Sequence, residues 1–204
     1  DVRGALRARL GIEIAIENDV NLAAIGEHWR GGSKGSNTFA FIALGTGIGM
    51  GIFADGRMVR GARGAAGEIA YLPLGGDPYD ARGLRLGTLE TAIGSAAIAE
   101  RYAALGGSDK RTVREIFDRL EADEAARITV DEVARVLAKA VLAVHSIIDP
   151  EIVVMGGSIG VRPELTERIA VHLRSCMPQP ARIEVSALGS RATLIGAIGS
   201  AIDL

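Results

Sequence analysis

Apolar and polar positions along this chain switch between a helical and a strand-like period. Leu6, Leu10 and Ile12 close an amphipathic segment, so residues 2–10 are expected to be helical, and Glu13–Ile16 reads as a short strand. Leu22, Ile25 and Trp29 recur at helical spacing after a polar cluster, which predicts a helix to about Arg30 capped by Asn18 or Asp19. Gly31–Asn37 is a polar loop. Apolar runs at 38–44, 48–54 and roughly 57–60 predict a three-stranded meander. Asp55-Gly56 supplies its second turn, because both positions tolerate positive φ.

From Ala62 to Gly87 the pattern breaks down into a stretch rich in Gly and Pro. A loop of this length inside a domain is usually functional or disordered. Leu89, Ile93, Ala97 and Tyr102 then predict one helix over about 88–105. Ser108 is expected to cap a short helix bearing Val113, Ile116, Phe117 and Leu120. Thr129 with Glu132 reads as a capping box opening a helix to about Ile148, which Asp149-Pro150 stops. That helix carries Val133, Val136, Ala140, Val141, Val144 and Ile147. A buried strand at 152–155 runs into Gly156-Gly157-Ser158-Ile159-Gly160, and Pro163 suits the first turn of the next helix. A strand at 183–187 and a helix at about 191–202 complete an alternating α/β pattern.

Composition narrows the function classes. The chain has 204 residues, 48% of them hydrophobic, and a net charge of −2, so one domain with a sizeable core is expected and no basic footprint for nucleic acid appears. The lone cysteine, Cys176, excludes an internal disulfide and fits a reducing cytoplasm. His28, His145 and His172 are too scattered to suggest a zinc cluster. No apolar run is long enough for a membrane span. The chain begins at Asp1 within an amphipathic pattern, so a fragment of a longer protein is expected.

The chemistry concentrates in Phe39–Glu68. Gly45-Thr46-Gly47 lies between two apolar runs, where backbone without Cβ atoms beside a hydroxyl could cradle phosphate; a plain β-turn explains the glycines as well. The register of a dinucleotide fingerprint fails at Met50, and no Walker loop occurs. Gly156-Gly157 closes a strand ahead of a helix, where a nucleotide could lie at the carboxyl edge of a sheet, or where helix and strand simply pack closely. Asp19 at a helix N-terminus is either a cap or, with Glu17, Asn18 and Asn21 around it, a general base near sugar hydroxyls. Glu68 follows Gly64-Ala65-Ala66-Gly67 and could bond vicinal hydroxyls. Glu90 sits in a first helical turn, where it complements the helix dipole or joins the site.

In order and spacing, ENDVNLAAIGE at 17–27, FIALGTGIGMGIFADGRMVRGARGAAGEI at 41–69, LETAIGSAAI at 89–98 and VVMGGSIG at 153–160 resemble the ROK family of repressors, uncharacterised frames and sugar kinases. The resemblance covers nearly the whole chain. It implies the actin-like, ribonuclease-H-like ATPase fold, a mixed sheet flanked by helices, with residues 1–204 as its C-terminal lobe. The N-terminal lobe and any helix-turn-helix domain would lie outside this sequence. By position, Asp19 matches the family's catalytic base and Asn18 a sugar contact. Glu68 matches the glutamate of the G-E-x-G-H motif, and Glu90 the glutamate after the cysteine cluster. Gly45, Thr46 and Gly47 match the second phosphate loop; Gly156 and Gly157 match the nucleotide-side glycines.

Two departures shape the functional expectation. The motif's histidine is Tyr71 here, and the C-x-C-G-x-x-G-C cluster is replaced by residues 77–87 without a cysteine. Zinc is therefore not expected, since Asp77 and Asp80 are hard oxygen ligands. Tyr71, Leu72, Leu74 and Leu84 are expected to hold the loop by packing, with Tyr71 offering its hydroxyl to a ligand. The losses point to the effector-binding portion of a ROK transcriptional regulator, a cytoplasmic homodimer that binds a sugar or sugar derivative and reaches DNA only through a domain outside this sequence. The alternative is an ATP-dependent sugar kinase with Asp19 as base, requiring ATP and magnesium. A third reading is a structural or oligomerisation lobe.

Overall fold

The computed structural model describes residues 1–202. Helices α1 (Val2–Leu10) and α2 (Asp19–Arg30) precede a meander of β1 (Phe39–Leu44), β2 (Ile48–Ala54) and β3 (Arg57–Met58). Five helices follow: α3 (Ala81–Leu86), α4 (Thr88–Ile93), α5 (Ser95–Ala104), α6 (Val113–Phe117) and the long α7 (Glu124–Ile148). The chain then returns through β4 (Ile152–Gly156), α8 (Gly157–Gly160), α9 (Pro163–Cys176), β5 (Arg182–Val185) and α10 (Ala192–Ile202). The strands form a mixed sheet in the order β3-β2-β1-β4-β5, with β1–β2 and β2–β3 antiparallel and β1–β4 and β4–β5 parallel.

Strand alternation sorts the core into two layers. Ala40, Ile42, Leu44, Ile48, Met50 and Ile52 face a large apolar layer built from α4, α5, α7 and α9. Phe39, Phe41, Phe53, Ile152 and Val154 face the other side, where Ala23, Ala24 and Ala192 of α2 and α10 cover them. On that side β2 carries Gly49 and Gly51. A Cβ at Gly51 would lie 2.6 Å from the Ala24 Cβ, so the bare backbone is what lets α2 rest on the strand. Gly26 and Gly196 bring α10 equally close behind α2.

Several local expectations are corrected. Glu13–Ile16 forms no strand: the sheet has no ladder for it, and the segment runs irregularly into the cap of α2. The buried face of α2 is Asn21, Ala23, Ala24, Gly26 and Glu27 and not the Leu22–Ile25–Trp29 stripe, because a helix squeezed between β2 and α10 is selected for small residues. The expected helix over 88–105 is broken at Gly94, where the Thr46 carbonyl comes in and accepts the Ser95 N–H at 3.4 Å. Thr112, not Ser108, caps α6, in a reciprocal box with Glu115. Asp123 caps α7, and Thr129 lies buried six residues inside it. Asp149 does stop α7, in a left-handed conformation (φ 45°). Ile147 is 78% exposed and Val136 only partly buried. Asp55 and Gly56 both have positive φ (51° and 70°), as their turn requires.

Candidate functional site

Because β1 and β4 are parallel neighbours with Ala43 opposite Gly156, their carboxyl ends open side by side. Ligands favour this edge of an α/β sheet. A cleft of about 360 Å³ lies there, lined by Asn18, Asp19, Gly45, Gly47, Glu68, Glu90 and Gly157 among others. A second cavity of about 540 Å³ adjoins it, lined by Asp19, Gly157, Ser158, Ser186, Gly189, Ser190 and Thr193 among others. Asp19 and Gly157 belong to both.

The N-terminus of α2 is built by a division of labour. Asn18 is the cap: its Oδ1 accepts the N–H groups of Val20 (2.8 Å) and Asn21 (3.2 Å). Asp19 is therefore released from capping, and among the described residues its exposed carboxylate accepts only the adjacent Val20 N–H, at 2.9 Å. Glu17 braces the cluster. It accepts the Asn21 amide N–H (2.9 Å), the Asn18 backbone N–H (2.9 Å) and the Arg60 Nε–H (2.7 Å). Burial pushes the Glu17 carboxyl up, but these hydrogen bonds and the Arg60 charge outweigh it and hold the group below its ordinary value. Arg60, 43 positions from its partner, carried no local signal in the sequence.

Glu90 closes the opposite side. Its Oε2 accepts the Ile48 N–H at 3.1 Å, and a Cβ at Gly47 would lie 2.2 Å from that oxygen. Gly45 and Gly47 therefore serve close approach, since neither has a positive φ. The Gly47 contact is to protein, so Glu90 works here as the strut of the β1–β2 turn. Gly67 ties the following loop down: its carbonyl accepts the Met50 N–H at 3.1 Å, on the edge of β2 that β3 leaves free. Glu68 is thus set at the cleft wall with its carboxylate exposed.

The structure does not draw in every expected residue. Thr46 is exposed beyond the cleft wall, and its backbone carbonyl makes the described contact. Gly156 is buried, where a Cβ would strike the Phe41 ring at 2.2 Å, and a Cβ at Gly157 would meet the Leu44 carbonyl at 2.3 Å. Tight strand packing accounts for both glycines, while Gly157 also opens onto the cavities. Tyr71 is 56% exposed and lies outside both cavity walls, and Leu84 is 65% exposed, so the loop is held by Ile69, Ala70, Leu72 and Leu74. Zinc does not fit this loop: residues 69–87 hold neither Cys nor His, and Asp77 and Asp80 already accept the Tyr79 and Gly83 N–H groups. Among the described residues no helix is long and apolar enough to cross a membrane.

Sheet order, flanking helices and the edge cavities define an actin-like ATPase fold, as in the crystal structure of a ROK hexokinase from Thermus thermophilus (TM-score 0.86, 28% identity, covering 100% of this chain and 71% of that one). The chain belongs to the ROK family, which it matches over residues 1–203. It is 29% identical to a glucokinase of Halalkalibacterium halodurans, over 96% of this chain and 65% of that protein, so it spans less than two thirds of that relative's length. A ROK family glucokinase from Streptomyces griseus, solved in complex with glucose and AMPPNP, superposes with a TM-score of 0.83 at 25% identity, covering 99% of this chain and 72% of that one. These findings overturn the expectation of a regulator's effector-binding portion, because the relatives just named, at 25% identity and above, are sugar kinases. A ROK transcriptional regulator shares the fold (TM-score 0.80) at 22% identity, a likeness that speaks to architecture alone. Residues 77–87 carry no cysteine, yet the cleft beside Asp19 is built from other segments, which is why that departure misled.

Proposed function

We propose that residues 1–204 are the C-terminal lobe of an ATP-dependent kinase acting on a hexose or hexose derivative. The observation that carries this reading is the freed carboxylate of Asp19, on the shared wall of two adjoining cavities. The sugar occupies the smaller cleft. Asn18 spends its carbonyl oxygen on the cap and keeps its amide N–H groups for a sugar hydroxyl. Glu68 accepts from vicinal hydroxyls. Asp19 takes the proton of the attacking hydroxyl as that oxygen bonds to the γ-phosphorus and the bond to the bridging oxygen of ADP breaks.

The nucleotide lies along the second cavity, with its phosphates toward the backbone of Gly45–Gly47 and Gly157–Ser158. A magnesium ion would come with the phosphates and take hard oxygen donors. Of the carboxylates on the cleft wall, Asp19 would be its donor, since it also lines the second cavity, while Glu68 faces the sugar cleft and Glu90 is engaged by Ile48. A second lobe, outside this sequence, supplies the other phosphate loop.

The test is Asp19→Asn in the full-length protein, assayed for ADP release with glucose and related hexoses. Turnover is expected to fall about 10²–10⁴-fold while sugar affinity changes little. Loss of sugar binding with turnover per bound sugar unchanged would sink the general-base role.

A further inference from the structure

Glu27 is a fully buried carboxylate (0% exposed) that the chemistry above leaves unused. Among the described residues it forms no ion pair. Its oxygens are met instead by three donors. Gly32 N–H bonds Oε2 at 2.7 Å, while Leu188 N–H (3.1 Å) and the Ser186 hydroxyl bond Oε1. Gly31 is required beside it, since a Cβ there would lie 2.0 Å from Oε2. Burying an ionisable group this way is costly unless its hydrogen bonds are kept, so the placement calls for a reason.

The donors supply one. Ser186 in turn accepts the Gly189 N–H at 2.8 Å, and Ser186 and Gly189 both line the second cavity. Glu27 itself lines neither cavity. It stands eight residues after Asp19 on α2, about 12 Å along the axis. At the other end of α2 the Asp19 carbonyl accepts the Thr193 hydroxyl at 3.3 Å. The 186–193 segment is thus pinned to α2 at both ends, and α2 carries Asp19.

We infer that Glu27 is a positioning residue for the nucleotide: it holds the Ser186–Gly189 wall of the second cavity in register with Asp19. This inference rests on the kinase reading. It requires that weakening the tether harm nucleotide use selectively, because the sugar cleft is braced separately by Glu17 and Glu90.

The experiment compares wild type, Glu27→Gln, Ser186→Ala and the double variant in the full-length protein, by kinetics with ATP and glucose varied in turn and by thermal melting. KM for ATP is expected to rise about tenfold in each single variant and no further in the double variant, with KM for glucose within about twofold. Equal rises in both KM values, or a fall in kcat with KM for ATP unchanged, would overturn the inference and leave Glu27 a general stabiliser. If Glu27→Gln does not fold, Ser186→Ala decides alone: an unchanged KM for ATP refutes the tether. Wild type that neither turns over nor binds ATP would instead refute the kinase reading itself, which separates the two failures.

Discussion

The two sides of the candidate cleft are made differently. On the α2 side, Gly49 and Gly51 let Val20 and Ala24 sit against β2, and Asn18, Asn21 and Glu17 close a hydrogen-bonded ring around the cap that Arg60 joins through Glu17. On the loop side, residues 61–68 are mostly exposed, and the clearest anchor is the backbone bond between Met50 and Gly67. Gly67 has φ 90°, with no room for a Cβ 1.9 Å from the Met50 carbonyl, whereas Gly64 (φ 73°) has nothing within 4 Å. One side is dense and over-determined, as the proton transfer proposed for Asp19 would require. The other is a short, exposed strap with few anchors, which would suit the ligand-selecting wall proposed above.

The sharpest way to break that contrast is to place a methyl group on each side. Gly51→Ala drives a Cβ to 2.6 Å from Ala24 and is expected to cost about 1–3 kcal/mol of stability, read as a lower urea midpoint, with activity falling because α2 carries Asp19. Gly64→Ala meets no neighbour and is expected to cost about 1 kcal/mol, through its left-handed backbone alone. Equal losses in the two variants would mean that the dense side is no more constrained than the strap.

A smaller effect is expected at the brace. The Glu17 carboxyl lies below its ordinary value of 4.5 when folded, so folding favours the ionised form. That contribution is complete above about pH 4.5 and fades as the pH falls through the lower folded-state value. Arg60 is more than half exposed, which leaves the network worth about 1 kcal/mol. Glu17→Gln should therefore flatten the acid limb of a stability–pH curve below 4.5 and lower the plateau at pH 7 by that amount. An acid limb identical to wild type would mean that the ring contributes nothing to folding.

The same contrast decides what the sequence could tell. The β1–β2–β3 meander and the body and end of α7, though not its start, were legible because strand alternation, the Asp55-Gly56 turn and the long apolar stripe all agreed. The buried face of α2 was not legible because tight packing selects small residues, and Ala23, Ala24 and Gly26 look unremarkable beside Leu22 and Trp29. The break at Gly94 was hidden because its cause, the Thr46 carbonyl, comes from another element. For the site, Asn18 and Asp19 stood out by local spacing, whereas Arg60, Ser186 and Glu27 act through partners far along the chain and carry no local mark. Whether Asn18 or Asp19 was the cap needed geometry to decide.

Tyr71 offers the finest test of the contrast, and the smallest effect. It stands where the family motif has histidine, and a hydroxyl in that place looked suited to a sugar. In the fold its side chain is more than half exposed, it lines neither cavity, and its N–H rather than its hydroxyl is engaged, with the Glu68 carbonyl at 3.3 Å. Removing the hydroxyl leaves that backbone bond untouched. Tyr71→Phe is accordingly expected to change stability by no more than about 0.5 kcal/mol and KM for glucose by less than about twofold. The comparison with Glu68→Gln, three positions earlier, makes the result informative, because that carboxylate stands on the cleft wall. If Glu68→Gln raises KM for glucose at least about tenfold while Tyr71→Phe does not, selection on the strap ends at Glu68. If both raise it, the strap must close over the bound sugar and bring Tyr71 in, and the loop side of the cleft is then a moving wall.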